Sequence, residues 1–292
     1  METLYKISNF FLNERYKPKI EKVVLWLAIS LFLAHLLFIF LVDYNILELS
    51  YFKDLAISPI SAIYTPFSII LIYEVYLLVF YLPKSITIYI GKQYEIIMLI
   101  LIRKIFYDLS QLEFSDNWFS IQGDLKFTVD ILATLLLFTL IFFFYRLNKK
   151  IKIKAKELNE KTKRYIKLKR LFAGFLVPLL FVLAIYSLVD WLYESTIDPY
   201  DISYSISKIN NIFFDDFFTI LVLTDVLLLL LSFLQTDKFS RVIRNSGFII
   251  STILIKLSFS ADGILNAIMI VAAVLFGVLI LWIYSLYQKL EK

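Results

Sequence analysis

The chain has 292 residues, of which 60% are apolar and 17% aromatic, and its mean hydropathy of +0.77 is higher than a soluble domain normally carries. It holds 30 Lys and Arg against 25 Asp and Glu, with no cysteine and one histidine, which excludes disulfides, thiolate metal sites, cysteine nucleophiles and histidine-rich metal sites. The composition predicts an integral membrane protein.

Eight apolar stretches approach the roughly 20 residues that a helix needs to cross a bilayer. In chain order they are residues 24–42, 65–82, 94–112, 127–147, 171–192, 217–235, 245–259 and 264–287. The fold class that they predict is an all-α, polytopic membrane bundle of eight transmembrane helices.

The charges predict an orientation for this bundle. If the amino terminus is cytoplasmic, the segments on the inner side hold 24 of the 30 Lys and Arg, and the outer segments hold only Lys53, Lys126 and Lys208. Basic loops favour the cytoplasmic side of a membrane. We therefore expect a multi-pass protein of the cytoplasmic (inner) membrane with both termini inside.

The two halves of the chain resemble each other around one helical hairpin. Residues 96–103 (IIMLILIR) and 249–256 (IISTILIK) match in type at six of eight positions, and each follows a basic turn. Two parallel four-helix repeats are related by an axis along the membrane normal in such an arrangement. We expect an amino-terminal segment (1–23), a first repeat (24–147), a basic linker helix (148–170), a second repeat (171–287) and a tail (288–292).

Each hairpin carries one acid in its first arm and one base in its returning arm. The acids are Glu74 and Asp225, and the bases are Arg103 and Lys256. The midpoint between acid and base falls near residue 88 in the first hairpin and near residue 240 in the second, so each pair is expected at one depth. An unpaired charge at the bilayer centre costs about 2.5–3.5 kcal/mol or more. Two intramembrane ion pairs are therefore expected, within or between hairpins.

Three roles remain open for these pairs. They can lock helices together, line or gate an ion or proton path, or respond to the transmembrane field. The last role is the weakest, because one charge moved across 100 mV yields only about 2.3 kcal/mol.

A polar track is expected beside the second pair. Side chains on the predicted sixth and seventh helices lead from the basic turn toward mid-membrane; they are Ser232, Thr236, Asn245, Thr252 and Ser260. Ser and Thr also pack helices together in membranes, which is the alternative reading.

The basic linker is the most strongly charged stretch of the chain. Its bases include Lys149, Lys150, Lys152, Lys154, Lys156, Lys161, Lys163, Arg164, Lys167, Lys169 and Arg170. Such a segment lies against anionic lipid headgroups, and a cytoplasmic protein is the other partner that it predicts. Nucleic acid is disfavoured, because neither interleaved aromatic residues nor a nucleic-acid-binding motif accompanies the bases.

No enzyme or cofactor motif is present: the chain lacks a Gly-rich phosphate loop, a Gly-x-Ser-x-Gly elbow and a His-Glu-x-x-His pair. The leading hypothesis is therefore a channel or transporter-like protein that moves or gates a small ion or proton at the paired charges, with homo-oligomers possible in principle. The alternative is a non-conducting anchor or sensor subunit that binds a cytoplasmic partner through the basic linker.

Overall fold

The computed structural model describes residues 12–44, 62, 64–110, 122–150, 160–197, 202–234, 238–261 and 263–290. These residues form eight α-helices and no strand, which confirms the all-α class. In chain order the helices are α1 (Lys17–Asp43), α2 (Tyr64–Tyr81), α3 (Ile86–Ser110), α4 (Gln122–Lys150), α5 (Glu160–Ile197), α6 (Ile202–Phe233), α7 (Phe239–Ser258) and α8 (Ile264–Leu290).

Three of the described helices are long and apolar enough to cross a membrane: α1, α4 and α8. Shorter apolar stretches occupy residues 72–81 of α2 and 217–233 of α6. Large apolar side chains are exposed on all three long helices, for example Trp26 at 70%, Leu135 at 62% and Leu265 at 57%. Surfaces of this kind match lipid rather than water, so the chain is a membrane protein.

The helices pack with their sequence neighbours in two runs of four, α1–α2–α3–α4 and α5–α6–α7–α8. The two halves also interlock, because α3 contacts α7, α4 contacts α8, and α2 contacts α5. The larger of two apolar clusters runs through both halves, and within it the Phe144 ring lies 5.2 Å from the ring of Tyr94 and 5.8 Å from that of Phe248. α1 lies at the edge, where His35 Nδ1 is 2.6 Å from Thr65 Oγ1 of α2.

A tight crossing holds α3, α7 and α8 together. The Tyr94 hydroxyl lies 2.8 Å from Ser251 Oγ, which donates to the carbonyl of Ala273 at 2.7 Å. Gly277 of α8 leaves the space that Tyr94 fills, since a Cβ added there would lie 1.8 Å from the tyrosine oxygen. Small residues allow such close backbone approach between membrane helices.

One end of the bundle gathers the basic turns. Lys84, in the turn between α2 and α3, forms an ion pair with Glu14, and its carbonyl accepts a hydrogen bond from Lys169 Nζ of α5 at 3.1 Å. The residues before α1, the α2–α3 turn and the first part of α5 therefore lie together. We call this end of the bundle the basic end.

Candidate functional site

Asp225 of α6 is the most deeply buried acid near the basic end, with 2% of its surface exposed. Gln93 of α3 donates a hydrogen bond from Nε2 to Asp225 Oδ2 at 2.9 Å. The fully buried hydroxyl of Tyr89, one helical turn earlier on α3, interacts with the same carboxylate. The acid of the second half is thus held by a helix of the first half.

α5 covers Asp225 from the basic end. Lys169 is 5% exposed and lies within electrostatic range of the carboxylate. Its ammonium group donates a hydrogen bond to the Lys84 carbonyl and lies 5.4 Å from the centre of the Tyr165 ring. The Tyr165 hydroxyl donates to the carbonyl of Leu228 at 2.9 Å. Burial lowers the pKa of Lys169, which precedes the predicted fifth span, to about 8, against the opposing effect of Asp225.

Glu74 of α2 belongs to a second cluster of charges. Lys92 and Glu95 of α3 and Lys17 and Glu21 of α1 all act on it electrostatically. Lys92 pairs with Glu95 at 2.5 Å, and that carboxylate also accepts a hydrogen bond from the Tyr145 hydroxyl of α4 at 2.5 Å. Four helices therefore share this cluster.

The cluster is closed by aromatic side chains. Lys17 Nζ donates to the Tyr81 hydroxyl at 2.8 Å, and Lys92 Nζ lies 5.4 Å from the centre of the same ring. The Tyr73 hydroxyl donates to Glu21 Oε2 at 3.3 Å. An ammonium group over an aromatic ring is attracted to the negative face of that ring.

The predicted pairs Glu74–Arg103 and Asp225–Lys256 are absent from the ion pairs of the described residues. Those ion pairs include Lys84–Glu14, Lys92–Glu95, Lys104–Asp130 and Lys126–Asp108. The prediction of two intramembrane pairs is wrong for these partners.

Helix geometry explains the error. Glu74 lies seven residues from the end of α2, and Arg103 lies 17 residues into α3. At a rise of 1.5 Å per residue, these are about 10 Å and about 26 Å from their common turn. Lys92 lies inside α3, so the turn is at residues 82–85 and not near residue 88.

The second hairpin shows the same offset. Asp225 lies eight residues from the end of α6, about 12 Å from the turn, whereas Lys256 lies 17 residues into α7, about 26 Å away. Lys256 occupies the last turn of α7, where a cation complements the helix dipole. Lys256 therefore lies about 14 Å farther from the turn than Asp225, which argues against the common depth predicted for this pair.

A reciprocal charge pattern joins α3 to α4 at the opposite end of the bundle. Lys104 lies 3.0 Å from Asp130, and Asp108 lies 3.5 Å from Lys126. The residues of each helix are four apart, so both pairs align across one antiparallel contact. Asp130 is fully buried. The spacing of these four charges in the sequence was the signal that would have found both pairs.

The predicted polar track is only partly assembled. Asn245 Nδ2 lies 3.5 Å from Ser232 Oγ, and Arg244 donates to Asn245 Oδ1 through Nε and Nη2 at 3.1 and 2.9 Å. The Thr252 hydroxyl instead donates to the carbonyl of Ile249 in its own helix at 2.9 Å. Ser260 is exposed beyond the end of α7, and Thr236 lies outside the described residues.

The basic linker divides into two classes of side chain. Lys149, Lys163, Arg164, Lys167 and Arg170 are exposed, whereas Lys169 is buried against α6 and the α2–α3 turn. Lys169 therefore does not belong to the predicted contact surface. The described residues include neither Lys152, Lys154 and Lys156 nor the side chains of Lys150 and Lys161.

Sequence reasoning identified Asp225 but missed Gln93 and Tyr89, and it assigned Lys169 to the contact surface of the basic linker instead of the surroundings of Asp225. Gln93 and Tyr89 are four residues apart and therefore share a face of α3, a signal present in the sequence.

Searches with models of protein families, among curated proteins and among solved structures find no match to this chain.

Proposed function

We propose that this protein moves or gates a small ion or proton across the membrane, with α3 as the central helix. The supporting observation is that α3 holds a buried acid of another helix toward each end of the bundle. Gln93 binds Asp225 near the basic end, and Lys104 binds Asp130 near the other. Ionisable groups inside membrane helices are costly and mark ion or proton pathways.

The interval between the two acids supports a path along α3. Between Gln93 and Lys104, α3 contributes the Tyr94 hydroxyl, which contacts Ser251 of α7, and the mostly buried side chain of Arg103. A proton or ion passing between the ends would meet these polar groups in turn.

Orientation and duplication belong to the same proposal. The excess of Lys and Arg at the basic end favours a cytoplasmic location for that end and both termini, in a cytoplasmic membrane. Contacts between the corresponding helices α3 and α7, and between α4 and α8, are those that a two-fold axis along the membrane normal would produce. The proposed protein has eight spans in two repeats.

Flux through proteoliposomes tests the proposal. The purified chain would be reconstituted, and Na⁺, K⁺ and proton movement measured under an imposed potential. The Asp225→Asn and Asp130→Asn variants are each expected to lose most of the flux. Glu14→Gln is the matched control, since it neutralises an exposed carboxylate at the basic end. Absence of flux in the wild-type chain would refute ion movement, and full flux in both aspartate variants would refute the role of the two acids in it.

A second candidate function is supported by the exposed bases of α5. Lys163, Arg164, Lys167 and Arg170 follow one another at helical spacing on the exposed side of the helix. A non-conducting anchor or sensor subunit would bind an acidic cytoplasmic protein there. Cross-links from this face to one defined protein, lost when the four bases are replaced by Gln, together with no flux, would favour this candidate over ion movement.

A further inference from the structure

We infer that α7 and α8, where they meet at the basic end, bind the phosphate group of an anionic phospholipid through the guanidinium of Arg244. This inference goes beyond ion movement, because it concerns the lipid around the protein. Lipid binding is measured on the purified chain without any flux, so its outcome is independent of the proposed function.

Three helices hold the Arg244 guanidinium in one orientation. Its Nε and Nη2 atoms donate to Asn245 Oδ1 at 3.1 and 2.9 Å, and Asn245 Nδ2 lies 3.5 Å from Ser232 Oγ of α6. Its Cζ atom lies 4.5 Å from the centre of the Tyr284 ring of α8, whose hydroxyl accepts a hydrogen bond from Gln288 Nε2 at 2.8 Å. Within the described part of the chain, Nη1 of Arg244 donates no hydrogen bond. The group is thus fixed in place with donors left for a ligand.

Neither of the two helices that meet at Arg244 supplies a negative charge. Residues 239–258 of α7 and 264–290 of α8 include no Asp or Glu. Arg241 adds a second guanidinium three residues earlier on the same face of α7, and its side chain is exposed. Like charges at this spacing repel each other. Because guanidinium groups bind phosphate oxygens through paired hydrogen bonds, a phosphate held by both arginines would offset their repulsion.

The apolar surface beside these arginines identifies the phosphate as that of a lipid. Phe239 and Ile243 of α7 are exposed in the same turns as Arg241 and Arg244, and Ile283 of α8 is exposed next to Tyr284 in sequence. Acyl chains cover such a surface favourably, because it is thereby removed from water. A soluble phosphate compound has no apolar part that could do so.

The depth of the site matches the boundary between headgroups and acyl chains. α8 has 27 residues and is about 40 Å long, which exceeds the roughly 30 Å of the hydrocarbon core. Its last turns therefore reach the headgroup layer, and Tyr284 lies about 9 Å from its end. Trp282 and Tyr287 are exposed around this level, as is typical of aromatic side chains at the membrane interface.

Thermal unfolding of the intact, detergent-purified chain during lipid titration measures the binding. A ligand that binds only the folded state raises the unfolding temperature with its concentration. Phosphatidylglycerol is expected to produce a larger rise than phosphatidylcholine with the same acyl chains. Arg244→Gln should weaken the apparent affinity for phosphatidylglycerol about tenfold. Arg15→Gln is the matched control, because it removes an exposed arginine before α1, and it should bind as the wild-type chain does.

Two gentler variants keep the test decisive if Arg244→Gln does not fold. Arg244→Lys keeps the positive charge but loses the paired donors, and it should weaken the affinity about threefold. Arg241→Gln removes the exposed guanidinium without disturbing the one that packs on Tyr284, and a three- to tenfold loss is expected.

The comparison among lipids and variants decides the outcome. The site is refuted if phosphatidylglycerol stabilises the wild-type chain no more than phosphatidylcholine does. It is also refuted if neither Arg244→Lys nor Arg241→Gln binds phosphatidylglycerol more weakly than Arg15→Gln. Inorganic phosphate at constant ionic strength is the last probe: an equal rise with the same dependence on Arg244 would show that the ligand is a soluble anion and not a lipid.

Discussion

At the scale of single residues, the burial of Lys169 changes its pKa in a way that an unfolding experiment can detect. Burial lowers its pKa to about 8 from the usual 10.5. Between these values the unfolded chain binds more protons than the folded chain, so the free energy of unfolding rises with pH. Lys169 should therefore raise the unfolding temperature of the wild-type chain as the pH increases above about 8.

The Lys169→Met variant isolates that gain. It should remove much of the increase above pH 8, whereas Lys167→Met, an exposed lysine two residues earlier on α5, should leave it unchanged. Scanning calorimetry or intrinsic fluorescence in detergent measures both. Equal pH profiles for the Lys169→Met variant and the wild-type chain would show that this lysine is not buried.

Gly277 provides a steric prediction. An added Cβ would meet the Tyr94 hydroxyl at 1.8 Å and the adjacent ring carbon at 2.9 Å. Gly277→Ala should therefore reduce the free energy of unfolding by about 1–3 kcal/mol, as overpacking generally does. Combining it with Tyr94→Phe removes the closest contact and should restore part of the loss. If the loss of stability in the double variant equals or exceeds the sum of the two single losses, this crossing of α3 and α8 is contradicted.

At the scale of elements, the α3–α4 contact depends on its reciprocal charges. Asp130→Asn leaves Lys104 without its carboxylate and should cost about 1.5–3 kcal/mol in detergent unfolding. Exchanging the two residues, Lys104→Asp with Asp130→Lys, should recover part of that loss. If the exchanged variant unfolds more easily than Asp130→Asn, the pairing is not what stabilises the contact.

The helices themselves were largely predictable, and their depth was not. Apolar runs identified all eight described helices, three of which are long and apolar enough to cross a membrane. Their ends extend beyond the apolar runs: α3 begins at Ile86, before Lys92 and Glu95, and α6 begins at Ile202. Charged residues inside a helix look like turn residues in sequence, and this displaced the predicted turn and placed the acids opposite the wrong bases.

The candidate site was predictable only in part, for a related reason. Asp225 is conspicuous as an acid in an apolar run. Its partners come from α3 and α5, more than 50 residues away in the chain. Local spacing carries no information on which helices of the two halves meet, so Gln93 and Lys169 could be found only from the packing.

At the scale of the whole molecule, the chain's lack of cysteine permits a direct test of topology. Single cysteines at Ser85 and Arg164 should react with a membrane-impermeant maleimide only from the cytoplasmic side. A cysteine at Ser260, in the turn between α7 and α8, should react only from the outside. Labelling of Ser260→Cys and Ser85→Cys from the same side would contradict the proposed eight-span arrangement.

The central claim is that the first half of the chain holds Asp225 of the second, through α3. Cross-linking between cysteine pairs tests it most directly. With a short bifunctional thiol reagent in native membranes, the pair Gln93→Cys and Asp225→Cys should cross-link within one chain. The pair Asp225→Cys and Lys256→Cys should not cross-link, because residues 225 and 256 lie about 14 Å apart along the helix axes. Cross-linking of residues 225 and 256 without cross-linking of 93 and 225 would contradict the account.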